Sequence, residues 1–161
     1  MKTIYRNNVI AALRSVVAST FEESLRSAKE QYGDHKDFAK WYEKYKAMEF
    51  PVEIYRGLCL DNIHDLDENN LGVHWTDNPE QADCVVIPDG IEDWAVYVLI
   101  AQAEQDTVDW EATFKNNLSG FAYEDEITLL PNTPIKVAEI KKVKPNGEWG
   151  QVVARSIKGK A

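Results

Sequence analysis

Pro51-Val52-Glu53-Ile54-Tyr55-Arg56-Gly57-Leu58 is where the chain changes character. From Val52 onward β-favouring residues alternate with polar ones, the period of a strand with one buried face. Upstream the apolar step is three and four. Val9, Leu13, Val16, Val17, Phe21, Leu25 and Ala28 form one helical stripe that stops at Gly33. Phe38, Trp41, Tyr42, Tyr45 and Met48 form a second, with Asp34 as its predicted N-cap and Pro51 beyond its end. Residues 1–48 are therefore expected to be helical, with the aromatic stripe as core.

Downstream, the turn-rich run 61–72 separates the first strand from a short one at Val73 to Thr76, after which Pro79-Glu80-Gln81-Ala82 opens a helix capped by Asp77 or Asn78. Further strands are expected at Cys84 to Ile87, Trp94 to Gln102, Glu124 to Leu130, Ile135 to Lys142 and Gln151 to Ser156. Helices first and strands after predict an α+β fold, with N-terminal helices packed on a mainly antiparallel β core. A length of 161 residues suits a single domain, 1–161, made of a helical N-terminal segment, 1–48, and a β core, 49–161.

Charge is divided unevenly. Residues 1–48 carry +3 and residues 140–161 carry +5, while 49–139 carry 3 basic and 20 acidic groups, a balance of −17 within a total of −9. Such totals disfavour nucleic acid and anionic membrane as partners. Between Lys46 and Lys115 the one permanent cation is Arg56. It reads either as the partner of a local carboxylate or as an anion clamp. Cys59 and Cys84 form no C-x-x-C pair, so neither a disulfide framework nor a zinc site is signalled. The apolar run Val9 to Leu13 is short for a secretory signal, and Trp94 to Ala101 is short for a membrane span. A reducing cytoplasm is the expected compartment.

G-x-G-x-x-G, P-loop, H-E-x-x-H and G-x-S-x-G motifs are absent. What remains is Tyr123-Glu124-Asp125-Glu126-Ile127-Thr128-Leu129-Leu130-Pro131, in which three carboxylates enter an apolar strand. If extended, it points Glu124 and Glu126 to one face and Asp125 to the other. Paired carboxylates suit chemistry at a sugar anomeric centre, one stabilising an oxocarbenium-like transition state and the other managing a proton. An acidic strand entrance without chemistry is the plainer alternative.

Three segments in order, Ile54-Tyr55-Arg56-Gly57, Gly72-Val73-His74-Trp75-Thr76 and Glu124-Asp125-Glu126-Ile127-Thr128-Leu129-Leu130-Pro131, together resemble the arginine-specific type of mono-ADP-ribosyltransferase. That family carries an aromatic-Arg strand, a Ser/Thr-rich strand and an [E/Q]-x-E motif before an apolar strand, and residues 52–140 match this layout. The resemblance implies a split β core that binds NAD as a consumed co-substrate, without metal. It implies Arg56 as the NAD anchor, with Tyr55, Gly57, His74 and Thr76 beside it. Glu126 is implied as the catalytic residue and Glu124 as the group that orients and deprotonates a guanidinium acceptor. Phe121 or Tyr123 would touch the target, a protein carrying the acceptor arginine. Small acidic chains of this kind look like intracellular effectors, for example of a bacteriophage, acting in host cytoplasm.

The middle motif departs from the family's Ser-x-Ser, reading His74-Trp75-Thr76 and leaving Thr76 as the hydroxyl to position Glu126. His74 is then a ribose ligand or a structural histidine. Trp75 alternates away from its neighbours and, like Trp94 and Trp110, is expected in the core; His35 and His64 are expected in solvent. The same residues leave two other readings open, an NAD glycohydrolase and a non-catalytic acidic binding module.

Overall fold

The structure, a computed structural model, describes residues 21–84, 90, 93–119 and 125–152. Residues 21–32 are helical (α1), and the Gly33 N–H closes the end on the Lys29 carbonyl at 3.0 Å. Helix α2 spans Phe38–Ala47, with Asp37 at its N-cap rather than Asp34. The Asp37 side chain makes no capping bond among the described residues, and its own N–H donates to His35 Nδ1 at 3.1 Å. Val9, Leu13, Val16 and Val17 lie outside the described residues.

Strand β1, Val52–Leu60, follows the predicted break. Strand β2, His74–Thr76, leads into the short helix α3, Pro79–Ala82, where the Asn78 side chain accepts from the Glu80 N–H and settles the choice of cap. Then come β3, Ala95–Ala103, helix α4, Trp110–Leu118, and the strands β4, Glu126–Thr128, β5, Val137–Val143, and β6, Trp149–Val152. Cys84 is not in a strand, and residues 85–87 of that expected element lie outside the description, as do those of the last strand beyond 152. Helix α4 has no counterpart in the sequence reading.

The six strands form one antiparallel sheet in the order β4-β2-β1-β3-β5-β6. The chain is thus α+β, with a sheet continuous in its pairing rather than divided. It has a weak seam. β1 pairs with β3 along its whole length, Val52 with Ala103 through Leu60 with Ala95, whereas β1 and β2 are paired only at Tyr55 and Thr76. Alternation and register put Ile54, Trp75 and Ile127 on the buried face, exposed by 0, 2 and 0%. The aromatic stripe of α2 covers that face: Trp41 stacks on Tyr45 at 5.8 Å, Phe38 on Phe114 at 5.5 Å, and Tyr45 meets Trp110 edge-on at 5.3 Å. Trp75 and Trp110 belong to this core, whereas Trp94 is only half-buried and outside it. His35 and His64 are exposed. Among the described residues no helix is long and apolar enough to cross a membrane.

Candidate functional site

At the seam between β1 and β2 lies a cleft of about 290 Å³, just under the size of most small-ligand sites. Tyr55, Arg56 and Gly57 of β1, His74 and Thr76 of β2, and Glu126 of β4 line it, together with Cys84. Three segments far apart in sequence meet here because β2 is paired to β1 on one side and to β4 on the other, with Thr76 opposite both Tyr55 and Glu126.

Arg56 makes no ion pair with a carboxylate among the described residues, so it is not the routine partner that an acidic neighbourhood suggests. One guanidinium nitrogen, Nη1, donates to the His74 carbonyl, and Nε is buried without a partner among the described residues. Burial lowers the Arg56 pKa from its usual value, opposed by the negative charge of Glu126. A cation held in this way, short of acceptors and partly desolvated, is arranged to receive an anion.

Gly72 makes room for it. Its φ is +77°, and a Cβ there would stand 2.9 Å from Arg56 Nη2 and 3.0 Å from Cζ. Gly72→Ala is expected to destabilise the fold by about 1–2 kcal/mol through the left-handed backbone. It also drives the guanidinium out of place, because the flexible Arg56 end is what yields. Thermal unfolding with and without anionic ligand checks both effects, and an unchanged melting profile would contradict them.

The Glu126 carboxylate is fixed by side chains that sequence alone does not single out. Its Oε2 accepts from Asn116 Nδ2 and Thr128 Oγ1 and lies 3.1 Å from His74 Nδ1, while Oε1 carries no hydrogen bond among the described residues and is not a buried orphan. One oxygen is anchored and the other is free to accept from a ligand. Thr76 does not perform the positioning expected of it. Its hydroxyl donates to the Asp125 carbonyl at 3.0 Å and accepts from the Asn78 N–H, so Thr128, two residues along β4, supplies the hydroxyl instead.

The backbone of Glu126 is gripped as firmly. Asn117 Oδ1 accepts from its N–H at 2.8 Å, and Asn117 Nδ2 donates to its carbonyl at 2.8 Å, a side-chain amide standing where a neighbouring strand would be. Tyr45 adds a third bond, its hydroxyl donating to the same carbonyl at 3.2 Å. Burial first, and then the charges of Asp77, Asp125 and Glu126, raise the Tyr45 pKa far above the phenol range, so it stays a neutral donor.

Asp125 breaks the expected extension. Its φ is +47°, so β4 begins at Glu126 and the alternation needed to align Glu124 with Glu126 does not run through this position. Lys44 of α2 ties the turn down, its Nζ 3.1 Å from Asp125 Oδ1 and 2.9 Å from Asp77 Oδ1, and Asn78 Nδ2 holds Asp125 Oδ2 at 2.9 Å. Glu124, Phe121 and Tyr123 lie outside the described residues. Tyr55 lines the cleft and donates its hydroxyl to Glu53; burial, then that bond, push its pKa up to about 12. Among the described residues no group of three or more His, Cys, Asp or Glu could hold a metal ion. No protein-family model, no curated protein and no solved structure matches the chain.

Proposed function

We propose that the chain is an NAD-dependent mono-ADP-ribosyltransferase that modifies an arginine of a protein target and releases nicotinamide. The observation that carries this reading is one cleft holding an arginine that makes no ion pair among the described residues and a glutamate with one oxygen anchored and the other without a hydrogen bond among them. The chemistry of the two groups is complementary. Arg56 offers a forked, permanently charged donor to a pyrophosphate that the surrounding acidic surface would otherwise repel. Glu126, held before substrate arrives, offers Oε1 to a ribose hydroxyl and a negative charge to the oxocarbenium that grows as nicotinamide leaves. The finer fold assignment, an ADP-ribosyltransferase-like core, belongs to the same proposal and is supported by the adjacency of the three motif strands.

The test is incubation of the purified chain with labelled NAD and a cell extract, following free nicotinamide and label on protein. Label on protein supports transfer. Nicotinamide without label indicates hydrolysis by the same site, and neither signal leaves the acidic binding module. Within the proposal, Arg56→Ala should raise the NAD concentration for half-saturation by about 10- to 100-fold, the range expected from losing charge-assisted hydrogen bonds. Arg56→Lys should recover only a fraction of this, because an ammonium lacks the planar fork. Steady-state titration with NAD reads both, and an unchanged half-saturation in Arg56→Ala would remove the anchor role.

A further inference from the structure

His74 stands in the cleft with its side chain 60% exposed and its Nδ1 3.1 Å from Glu126 Oε2. An ionised carboxylate only accepts hydrogen bonds, so the partner fixes the neutral ring as the tautomer with the proton on Nδ1. That leaves Nε2 with its lone pair. A carboxylate orienting an imidazole through Nδ1–H so that Nε2 can take a proton is the working arrangement of a general base.

We propose that His74, oriented by Glu126, is a general base that activates an oxygen acceptor, water or an alcohol, at this site. The inference rests on the NAD-dependent reading above and adds an acceptor class to it. The C1′–N bond to nicotinamide breaks and its electron pair leaves with nicotinamide. The acceptor oxygen forms the C1′–O bond, and its O–H proton passes to His74 Nε2 and on to solvent. An oxygen bonding to a cationic carbon becomes strongly acidic, so an imidazole suffices. A neutral O–H offers its proton to the Nε2 lone pair from the ground state onward, and oxygen acceptors are therefore the class this imidazole serves.

The geometry separates this role from a structural one. Asn116 and Thr128 hold Glu126 Oε2 without help from His74, so removing the imidazole leaves the carboxylate anchored. The experiment measures nicotinamide release from NAD by the purified full chain in water and in added methanol, for the wild type, His74→Ala and His74→Gln. Folding is checked by thermal unfolding. Expected are a drop of about 100-fold in both variants, the lower range of general-base effects, and restoration of His74→Ala by added imidazole. In methanol the wild type should also form the methyl glycoside. A side chain that merely shaped the cleft would show no imidazole rescue. Release at the wild-type rate by His74→Gln, or failure of imidazole to restore His74→Ala, overturns the base role while leaving the NAD reading standing. A wild type that releases nicotinamide in cell extract but none in water or methanol overturns this inference alone, and one that releases none in any of the three overturns the NAD reading and this inference with it.

Discussion

Glu126→Gln should lower nicotinamide release by about 100- to 1,000-fold while leaving the fold intact, the size of effect seen when one preorganised electrostatic group is removed from a reacting centre. The substitution is well matched to the question because the amide keeps the side chain's shape. Its oxygen can take the place of Oε2 and go on accepting from Asn116 and Thr128, so the anchoring survives. What disappears is the charge. In the wild type that charge lines the cleft and is close enough to Arg56 to act on its proton affinity. If release depends on stabilising a positively charged sugar, the neutral amide removes most of that stabilisation. Binding should be less affected, since Arg56 remains. Parallel measurement of kcat, KM and the unfolding midpoint reads these consequences separately. Full activity in Glu126→Gln would sink the mechanism, and an equal loss of stability would reduce Glu126 to a structural residue.

How far this site can be read from sequence depends on which physical signal each residue sends. The change of period at Val52 marks β1 without ambiguity, and Asn78-Pro79 marks the start of α3, because both signals are local. Thr128 is also within reach: strand alternation alone puts it on the same face as Glu126. The middle motif instead points to Thr76, whose hydroxyl is taken by the Asp125 carbonyl. The register that brings Thr76 there cannot be inferred from either strand by itself. Asp125 is similar, since a left-handed residue at a strand entrance is set by Lys44 and Asn78 from distant elements. Helix α4 is hidden for a different reason. Its buried face carries Thr113 and Asn117, both 0% exposed, so hydrophobic periodicity is broken where packing is tightest. The surviving cues are Asp109, whose side chain caps the Ala112 N–H, and the pair Trp110 and Phe114 one turn apart.

Those two polar residues explain why β4 can be both short and at the edge of the sheet. An edge strand of three residues presents N–H and C=O groups with no strand to meet them. Here α4 meets them with side chains: Thr113 Oγ1 accepts from the Thr128 N–H at 3.0 Å, and Asn117 takes both backbone groups of Glu126. Asn117→Ala is therefore expected to cost about 1–3 kcal/mol, because it leaves a strand N–H unpaired, and each unsatisfied buried group costs that much. For a chain of this size that corresponds to a fall in Tm of roughly 2–12 °C. The carbonyl of Glu126 keeps the Tyr45 bond, which puts the expected value inside the range rather than above it. Asn117→Asp is the sharper comparison. It retains an acceptor for the N–H but sets a second acceptor, and a buried charge, against the carbonyl, so it should destabilise at least as much as alanine. Activity should fall with stability in both, whereas Glu126→Gln loses activity alone. A melting temperature for Asn117→Ala within about a degree of the wild type would show that solvent or a neighbouring segment satisfies β4, and the amide would no longer account for the position of Glu126.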